Sequence, residues 1–257
     1  MRCGLVTYNI AAKWDVDTLL AKCKQLKMEG VELRTTHAHG VEPSLTAEQR
    51  GEVKSKFAAS GVTLWGLGSV CEYHSPDPAV VQQNIQTTRD FIDLAVDVGA
   101  KGVKVRPNGL QAGSPPEKTL VQIGEALAQI GPYAQKKGVE IWVEVHGRET
   151  SHPPYMEKIF KVANHPSINA CWNCNPTDLK DGSIREYFAL LRPWIRSVHI
   201  HDLYEAEYPY RDLFALLAAM DYKGFLLGEL PDSADPDRVV SYFRGLFDAY
   251  VALAKCG

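Results

Sequence analysis

The sequence has few cysteines, and their spacing is not that of a disulfide framework. Six are spread over 257 residues, at positions 3, 23, 71, 171, 174 and 256. A chain of this length can bury a hydrophobic core and does not need disulfides to fold. Cys171 and Cys174 form a C-x-x-C motif, but no second such motif completes a structural zinc site. Two thiols on a core strand and its following loop are therefore favoured over a zinc or redox site.

Long hydrophobic runs and blocks of positive charge are also missing. The longest apolar runs, such as "FALLAAM", are too short to cross a bilayer, so no membrane partner is expected. The formal net charge is −3, which argues against a nucleic-acid partner. The start "MRCGLVTYNI" does not have the charged and apolar regions of a signal peptide. We therefore expect a cytoplasmic protein, unless a leader peptide was removed.

Short apolar runs alternate with longer amphipathic stretches along the whole chain. Stretches such as "VDTLLAKCKQLK" have apolar residues at helical spacing, and about eight of them are present. No linker or low-complexity segment interrupts the alternation, so residues 1–257 are predicted to form a single domain. The candidate strands are residues 3–9, 30–35, 62–69, 102–107, 139–146, 168–173, 197–202 and 224–230.

This alternation predicts an α/β protein with a (β/α)8 TIM barrel. Eight units of about 32 residues each match the size of a βα repeat. The strands are nearly continuous apolar runs, which is typical of parallel strands buried on both faces. A doubly wound open sheet is the alternative. That fold usually carries a glycine-rich phosphate loop after its first strand, and "TYNIAAKWD" contains none.

Polar residues fall at the carboxyl ends of several predicted strands, where the active sites of such barrels lie. From Glu144 to Asn173 is 29 residues, from Asn173 to His199 is 26, and from His199 to Glu229 is 30. Each step is about one βα unit, so successive units would bring one polar side chain each to the same end of the barrel. Any one of these residues alone could equally be a satisfied core residue.

A divalent cation would resolve the cost of burying several carboxylates at one place. Glu144, His199 and Glu229 supply two carboxylates and an imidazole, a suitable ligand set for Mn²⁺, Mg²⁺, Co²⁺ or Zn²⁺. The segment "SVHIHD" fits this interpretation, because residues two apart on a strand share a face. His199 and His201 would then both point into a polar cavity.

The segments "WVEVH", "SVHIHD" and "LLGEL" resemble the xylose isomerase-like TIM barrels, and the resemblance covers the whole chain. In that family a strand-five Glu, a strand-six Asp, a strand-seven His and a strand-eight Glu hold one divalent ion. The resemblance implies Glu144, Asn173, His199 and Glu229 as metal ligands. Asn173 stands where the family usually has Asp. Its carbonyl oxygen can bind an ion but brings no charge, so weaker metal binding is expected.

The resemblance further implies a sugar or sugar-phosphate isomerase or epimerase. The metal would assist proton transfer through an enediolate, with Glu144 and Glu229 as the acid and base. The predicted partner is a small sugar, and the family often forms dimers or tetramers, so a homodimer or homotetramer is expected. The residues predicted to bind substrate are Glu32, Arg34, Lys104, Arg106, His146, Asn175 and His201.

Three other functions remain open for a chain with these residues. A lyase or dehydratase acting on a polyol or keto-sugar would begin with the same proton abstraction. A non-catalytic sugar-binding relative could have lost metal affinity through Asn173. A DNA-repair phosphodiesterase of the endonuclease IV type is disfavoured, because it needs several metals and a basic groove.

Overall fold

A computed structural model describes residues 1–256 of the protein, apart from the side chain of Cys256. Eight parallel strands form a closed barrel in the order in which they occur along the chain, and α-helices alternate with them. This is the TIM barrel that the sequence predicts. The strands are β1 Arg2–Asn9, β2 Gly30–Arg34, β3 Thr63–Gly68, β4 Gly102–Val105, β5 Glu140–Glu144, β6 Ile168–Trp172, β7 Ile195–Ile200 and β8 Phe225–Leu230.

Within residues 1–256, eight α-helices follow the strands, and one short 3-10 helix, Pro176–Asp178, lies in the loop after β6. The helix Ala47–Ser60 is capped by Thr46, whose hydroxyl accepts from the backbone N–H of Gln49 in a capping box. The helices are α1 Val16–Gln25, α2 Ala47–Ser60, α3 Pro78–Val98, α4 Pro116–Lys137, α5 Pro153–Ala163, α6 Arg185–Leu191, α7 Tyr210–Ala219 and α8 Pro236–Cys256.

Contacts within the chain group its residues into two compact units. The first unit comprises residues 1–65 and 197–257 and includes β1, β2 and β8. The second unit comprises residues 66–196 and includes β4, β5 and β6. The assignment of residues 1–257 to one domain stays a prediction.

The core of the first unit is built around the ring of Phe225. Val6, Leu227 and Trp65 pack in the same cluster, and the Trp65 and Phe225 ring centroids are 5.1 Å apart. The indole N–H of Trp65 donates to the Ser197 hydroxyl at 3.2 Å, so its polar atom is satisfied. Parallel pairing of β1 with β2 and β8, and of β7 with β8, frames this cluster.

The core of the second unit is filled by Trp142 on β5. Its ring lies against Gly102, where an added Cβ would come within 2.6 Å of the indole, and it is fully buried. The indole N–H donates to the Glu140 carboxylate at 2.9 Å. Trp142 therefore packs the barrel interior. A ring without exposed surface cannot stack on a sugar.

Several strands end one or two residues earlier than the sequence predicts. β4 ends at Val105, two residues before the predicted end at Pro107, which has no N–H for a sheet hydrogen bond. β5 ends at Glu144 rather than at residue 146, and Gly147 then adopts a φ of 97°. Arg106, His146 and Asn173 therefore lie in the segments that directly follow the strands.

The cysteine side chains that the structure describes are all buried, and none of them forms a disulfide. Cys171 lies on β6, and Cys174 lies in the loop after it. This placement agrees with two core thiols. Within residues 1–256, no helix combines the length and hydrophobicity that a membrane crossing requires.

The contact between Gly102 and Trp142 predicts that a methyl group added at position 102 destabilises the protein. Gly102→Ala should lower the free energy of unfolding by about 1–3 kcal/mol, because the indole cannot move out of a filled core. Urea denaturation followed by circular dichroism would measure this effect. Gly51→Ala on α2, where an added Cβ meets nothing within 4 Å, is the matched control and should be neutral or stabilising. Equal stability of the two variants would contradict the packing argument.

Candidate active site

His199 on β7 is the centre of a buried polar cluster in the first unit. Its Nε2 lies 3.2 Å from Oε2 of Glu32 on β2, and both side chains are fully buried. Its Nδ1 lies 4.0 Å from Oε2 of Glu229 on β8. The imidazole therefore has a carboxylate on either side.

The contact with Glu32 determines which ring nitrogen of His199 faces the other carboxylate. A carboxylate accepts a hydrogen bond, so Nε2 carries the proton that it donates to Glu32. Nδ1 is then the nitrogen on the side of Glu229. A carboxylate that fixes a histidine in this way is a common partner of metal-binding histidines. The second oxygen of Glu32, Oε1, is buried and has no hydrogen-bond partner among the described residues.

His201 and Glu229 form the more accessible part of this cluster. His201 Nε2 lies 3.8 Å from Glu229 Oε2, and the two side chains are 34% and 21% exposed. The register between β7 and β8 pairs His199 with Leu227, which places Glu229 two residues further towards the carboxyl end. Glu229 and His201 are therefore the members of the cluster that a bound molecule can reach.

Arg34 lies at the end of β2 but forms no ion pair with Glu32 within the described residues. Its guanidinium donates instead to the Thr35 carbonyl at 2.9 Å and lies over the ring of Tyr8. The carbonyl of Arg34 is 2.8 Å from Nε2 of His39. Glu32 and Arg34 therefore do not neutralise each other's charge. The roles of Glu32 and Arg34 in substrate binding stay predictions.

A buried ion pair dominates the strand ends of the second unit. The Lys104 ammonium on β4 donates to Oε2 of Glu144 on β5 at 2.7 Å, and the side chains are 7% and 3% exposed. In the register of the two strands, Lys104 is opposite Trp142, so its side chain reaches two residues towards the carboxyl end to meet Glu144. Each charge offsets much of the cost of burying the other.

Arg106 is held by the carboxylate of Glu72, which is not among the predicted site residues. Its guanidinium donates to Oε1 of Glu72, with Nη2 at 2.8 Å and Nε at 3.0 Å. The side-chain amide of Asn108 donates to the same oxygen at 2.6 Å. Glu72 lies in the loop after β3, and only its position after a strand end distinguishes it in the sequence.

His146 is half-buried directly after β5. Burial lowers its pKa below the ordinary histidine value, the neighbouring Glu144 carboxylate raises it, and the cations of Lys104 and Arg106 lower it. Its Nδ1 is buried and has no hydrogen-bond partner among the described residues. A neutral imidazole beside Glu144 can either donate or accept a hydrogen bond.

Asn173 and Asn175 follow β6, and their side chains have different surroundings. The side-chain amide of Asn175 donates to the Val145 carbonyl, so this residue joins the segments after β5 and β6. Asn173 is 3% exposed, and its Oδ1 has no hydrogen-bond partner among the described residues. A buried carbonyl oxygen without a donor is costly unless it binds a ligand. Asp178 caps the 3-10 helix by accepting from the N–H of Asn175.

Comparison with known proteins identifies the family. The family model described as xylose isomerase-like TIM barrel matches residues 20–244. The chain belongs to this family. No curated protein sequence matches it, so the remaining comparisons are with solved structures.

The solved structures similar to this xylose isomerase-like barrel include several named as sugar epimerases. An L-ribulose 3-epimerase has 15% identity and a TM-score of 0.84, with 99% of this chain and 95% of that chain covered. A D-psicose 3-epimerase from Clostridium cellulolyticum H10 has 14% identity and a TM-score of 0.84, with 98% and 99% covered. A 3-keto-D-glucoside 4-epimerase from E. coli has 13% identity and a TM-score of 0.79, with 95% and 99% covered. Identities this low establish the shared fold only.

The ion pair of this xylose isomerase-like chain gives a stability prediction. Lys104→Met should destabilise the protein by about 3–5 kcal/mol, because it leaves the buried Glu144 carboxylate without its ammonium partner. Urea denaturation would measure the change. The double variant Lys104→Met/Glu144→Gln should recover part of the loss. The exposed pair Lys180–Glu186 is the control, and Lys180→Met should change stability little. Similar losses at both lysines would show that Lys104 and Glu144 are not coupled as described.

Proposed function

We propose that the protein is a sugar epimerase or isomerase that uses a divalent metal and two glutamates to move a proton. Membership of the xylose isomerase-like family supports this proposal. The neighbours named as sugar epimerases support it further, although their low identities establish only the fold. The chemistry rests on one observation, the potential metal-binding group of Glu144, His199 and Glu229.

In this proposal, Glu144, His199 and Glu229 bind one ion together. Each offers one ligand atom, and two carboxylates with an imidazole form a ligand set that suits a single divalent ion. Oxygen and imidazole donors of this kind suit Mn²⁺, Mg²⁺, Co²⁺ or Zn²⁺. The partnerless Oδ1 of Asn173 is the fourth proposed ligand. Oε2 of Glu144 accepts from Lys104, so the proposal assigns the other oxygen of that carboxylate to the ion.

The metal, when bound, would polarise the sugar carbonyl and stabilise negative charge on the neighbouring oxygen. Glu144 and Glu229 are the proposed proton-transfer groups. One removes the proton from the carbon next to the carbonyl to give an enediolate, and the other returns a proton to the opposite face or to the adjacent carbon. Glu229 is the more exposed of the two, and we propose that it approaches the substrate from the open side.

The residues around the two glutamates have proposed supporting roles. Lys104 holds Glu144 in position through their buried ion pair. His201, beside Glu229, and His146, beside Glu144, would hydrogen-bond the hydroxyls of the sugar. Arg106 and Asn175 already have protein partners, Glu72 and the Val145 carbonyl. We propose that these two residues shape the pocket wall and contact the substrate only at its edge.

The proton-transfer assignment predicts the effect of a near-isosteric change. Glu229→Gln should lower kcat by at least about 100-fold, because an amide cannot exchange the proton. Incubation with a panel of ketoses and aldoses in D₂O, read by NMR, would measure deuterium uptake next to the carbonyl. Glu186→Gln, on the exposed face of α6, is the control and should behave like the wild type. Normal deuterium uptake by Glu229→Gln would refute the assignment.

The proposed metal ligands predict that a carboxylate at position 173 binds the metal ion more tightly than the amide does. Asn173→Asp should lower the dissociation constant for Mn²⁺ by about tenfold, because a carboxylate attracts a cation more strongly than an amide oxygen does. Calorimetric titration of the protein with Mn²⁺ would measure this, and Glu144→Ala should abolish binding. Unchanged affinity of the Asn173→Asp protein would place residue 173 outside the ligand set.

A further inference from the structure

The second unit contains a cavity of about 440 Å³ whose lining does not include Lys104 or Glu144. It is formed by three segments that follow the carboxyl ends of β3, β4 and β5. These segments contribute His74, residues 108–114 with Pro116, and Arg148 with Glu149. Cavities of this size commonly bind small molecules. Since Glu144 ends β5, the cavity lies at the same end of the strands as the proposed catalytic carboxylate.

A hydrogen-bond network connects the cavity wall with Arg106, which directly follows β4. Asn108, which lines the cavity, donates to Oε1 of Glu72, and this oxygen also accepts from Arg106. Nδ1 of His74, another lining residue, lies 3.8 Å from Oε2 of Glu72. The Glu72 carboxylate is thus shared between the cavity and the strand-end residue Arg106.

The groups that line the cavity combine hydrogen-bond donors and acceptors with little net charge. Arg148 brings a guanidinium, Glu149 a carboxylate, and Ser114 a hydroxyl. Neither charged side chain has an ion-pair partner among the described residues, so both are available to a ligand. Hydroxyl groups both donate and accept, so this lining suits a neutral polyhydroxy molecule. A phosphate would be expected to find a cluster of cations rather than one arginine beside a carboxylate.

The cavity wall is fixed by hydrogen bonds and by a close backbone contact. Asn108 and Gly147 form an isolated β-bridge, and an added Cβ at Gly147 would lie 2.4 Å from the Asn108 Cα. The backbone N–H of Gln111 donates to the Thr119 hydroxyl, and the Gln111 side chain donates to Gln122. The segments after β4 and β5 are therefore joined before any ligand arrives, which lowers the cost of binding.

Two residues that line the cavity have left-handed backbone conformations. Asn108 has a φ of 62° and Glu149 a φ of 64°, and neither is a glycine. Such conformations cost free energy and are found frequently at binding sites, where the surrounding structure maintains them. Here they turn the two segments so that both contribute polar side chains to one cavity.

We propose that this cavity is a second sugar subsite, which holds the non-reacting ring of a glycoside whose other ring is the one epimerised. The substrate is then a disaccharide or other glycoside whose reacting ring carries the carbonyl that the proposed proton transfer requires. This inference rests on the proposed function for the identity of the reacting ring. Binding of a sugar ring in the cavity can be tested without turnover.

The test uses methyl glucoside, sucrose and trehalose as probes, with free fructose and inorganic phosphate for comparison. The probe glycosides have no free carbonyl, so binding is measured separately from reaction. Titration of the ¹⁵N-labelled full chain, followed by NMR, should shift the backbone signals of residues 108–114 and 148–149. Ser114→Trp would fill the cavity and should weaken glycoside binding by about tenfold or more. Ser55→Trp, on the exposed surface of α2, is the matched control and should bind like the wild type.

A second variant keeps the test decisive if Ser114→Trp folds poorly. Arg148 is exposed, so Arg148→Gln should leave the fold intact and weaken glycoside binding by several-fold through the lost hydrogen bonds. The proposed subsite would be overturned if no glycoside bound, or if the wild type and both variants bound glycosides equally. Preferential binding of inorganic phosphate would also overturn it.

Glu229→Gln separates the two proposals, because it should lose turnover and still bind the probe glycosides. Glycoside binding at residues 108–114 without deuterium exchange into any sugar would support the subsite and contradict the proposed reaction. Exchange in a free monosaccharide without such binding would support the reaction and overturn the subsite.

Discussion

Burial of charge at the strand ends is the constraint on which the candidate site depends. A lysine or glutamate at the end of a barrel strand is surrounded by the core and cannot keep its hydration, so it needs a partner of opposite charge. Lys104 and Glu144 satisfy this requirement for each other on adjacent strands of the second unit. The pair holds Glu144 in one orientation, which a group that binds an ion or moves a proton must have.

The first unit meets the same constraint with a histidine. Glu32 and His199 are fully buried and lie in contact, and this contact directs Nδ1 of the imidazole towards the side of Glu229. Glu32 and His199 are thus the buried members of the cluster, and the partly exposed Glu229 and His201 are the groups that a bound molecule can reach. Buried residues that fix more accessible ones are common where a site is preorganised.

The position after β6 carries an amide where the resemblance to the family implies a carboxylate. Asn173 provides a buried carbonyl oxygen without a hydrogen-bond partner, which retains a donor atom but removes a charge. Lys104 adds a positive charge beside Glu144. Both features lower the negative charge available to a cation, so the proposed site would bind its metal less tightly than a site with aspartate at strand six. A substrate with its own oxygen donors could then contribute a larger share of the ligands.

The sequence by itself determined the order of strands and helices, the barrel, and the strand ends that carry Glu144, His199 and Glu229. These depend on hydrophobic periodicity and repeat length, which are properties of neighbouring residues. The predicted ends of several strands lie one or two residues too far along the chain. Pro107 and the turn at Gly147 end β4 and β5 before Arg106 and His146 are reached. Only the tertiary structure decided which charged groups meet. Alternation along a strand shows which face a side chain lies on, but it does not show which residue that side chain contacts. Glu32 shares a strand face with Arg34, yet it contacts His199, 167 residues away. The partner depends on strand register and on how far each side chain reaches, and both are fixed only when the strands pair.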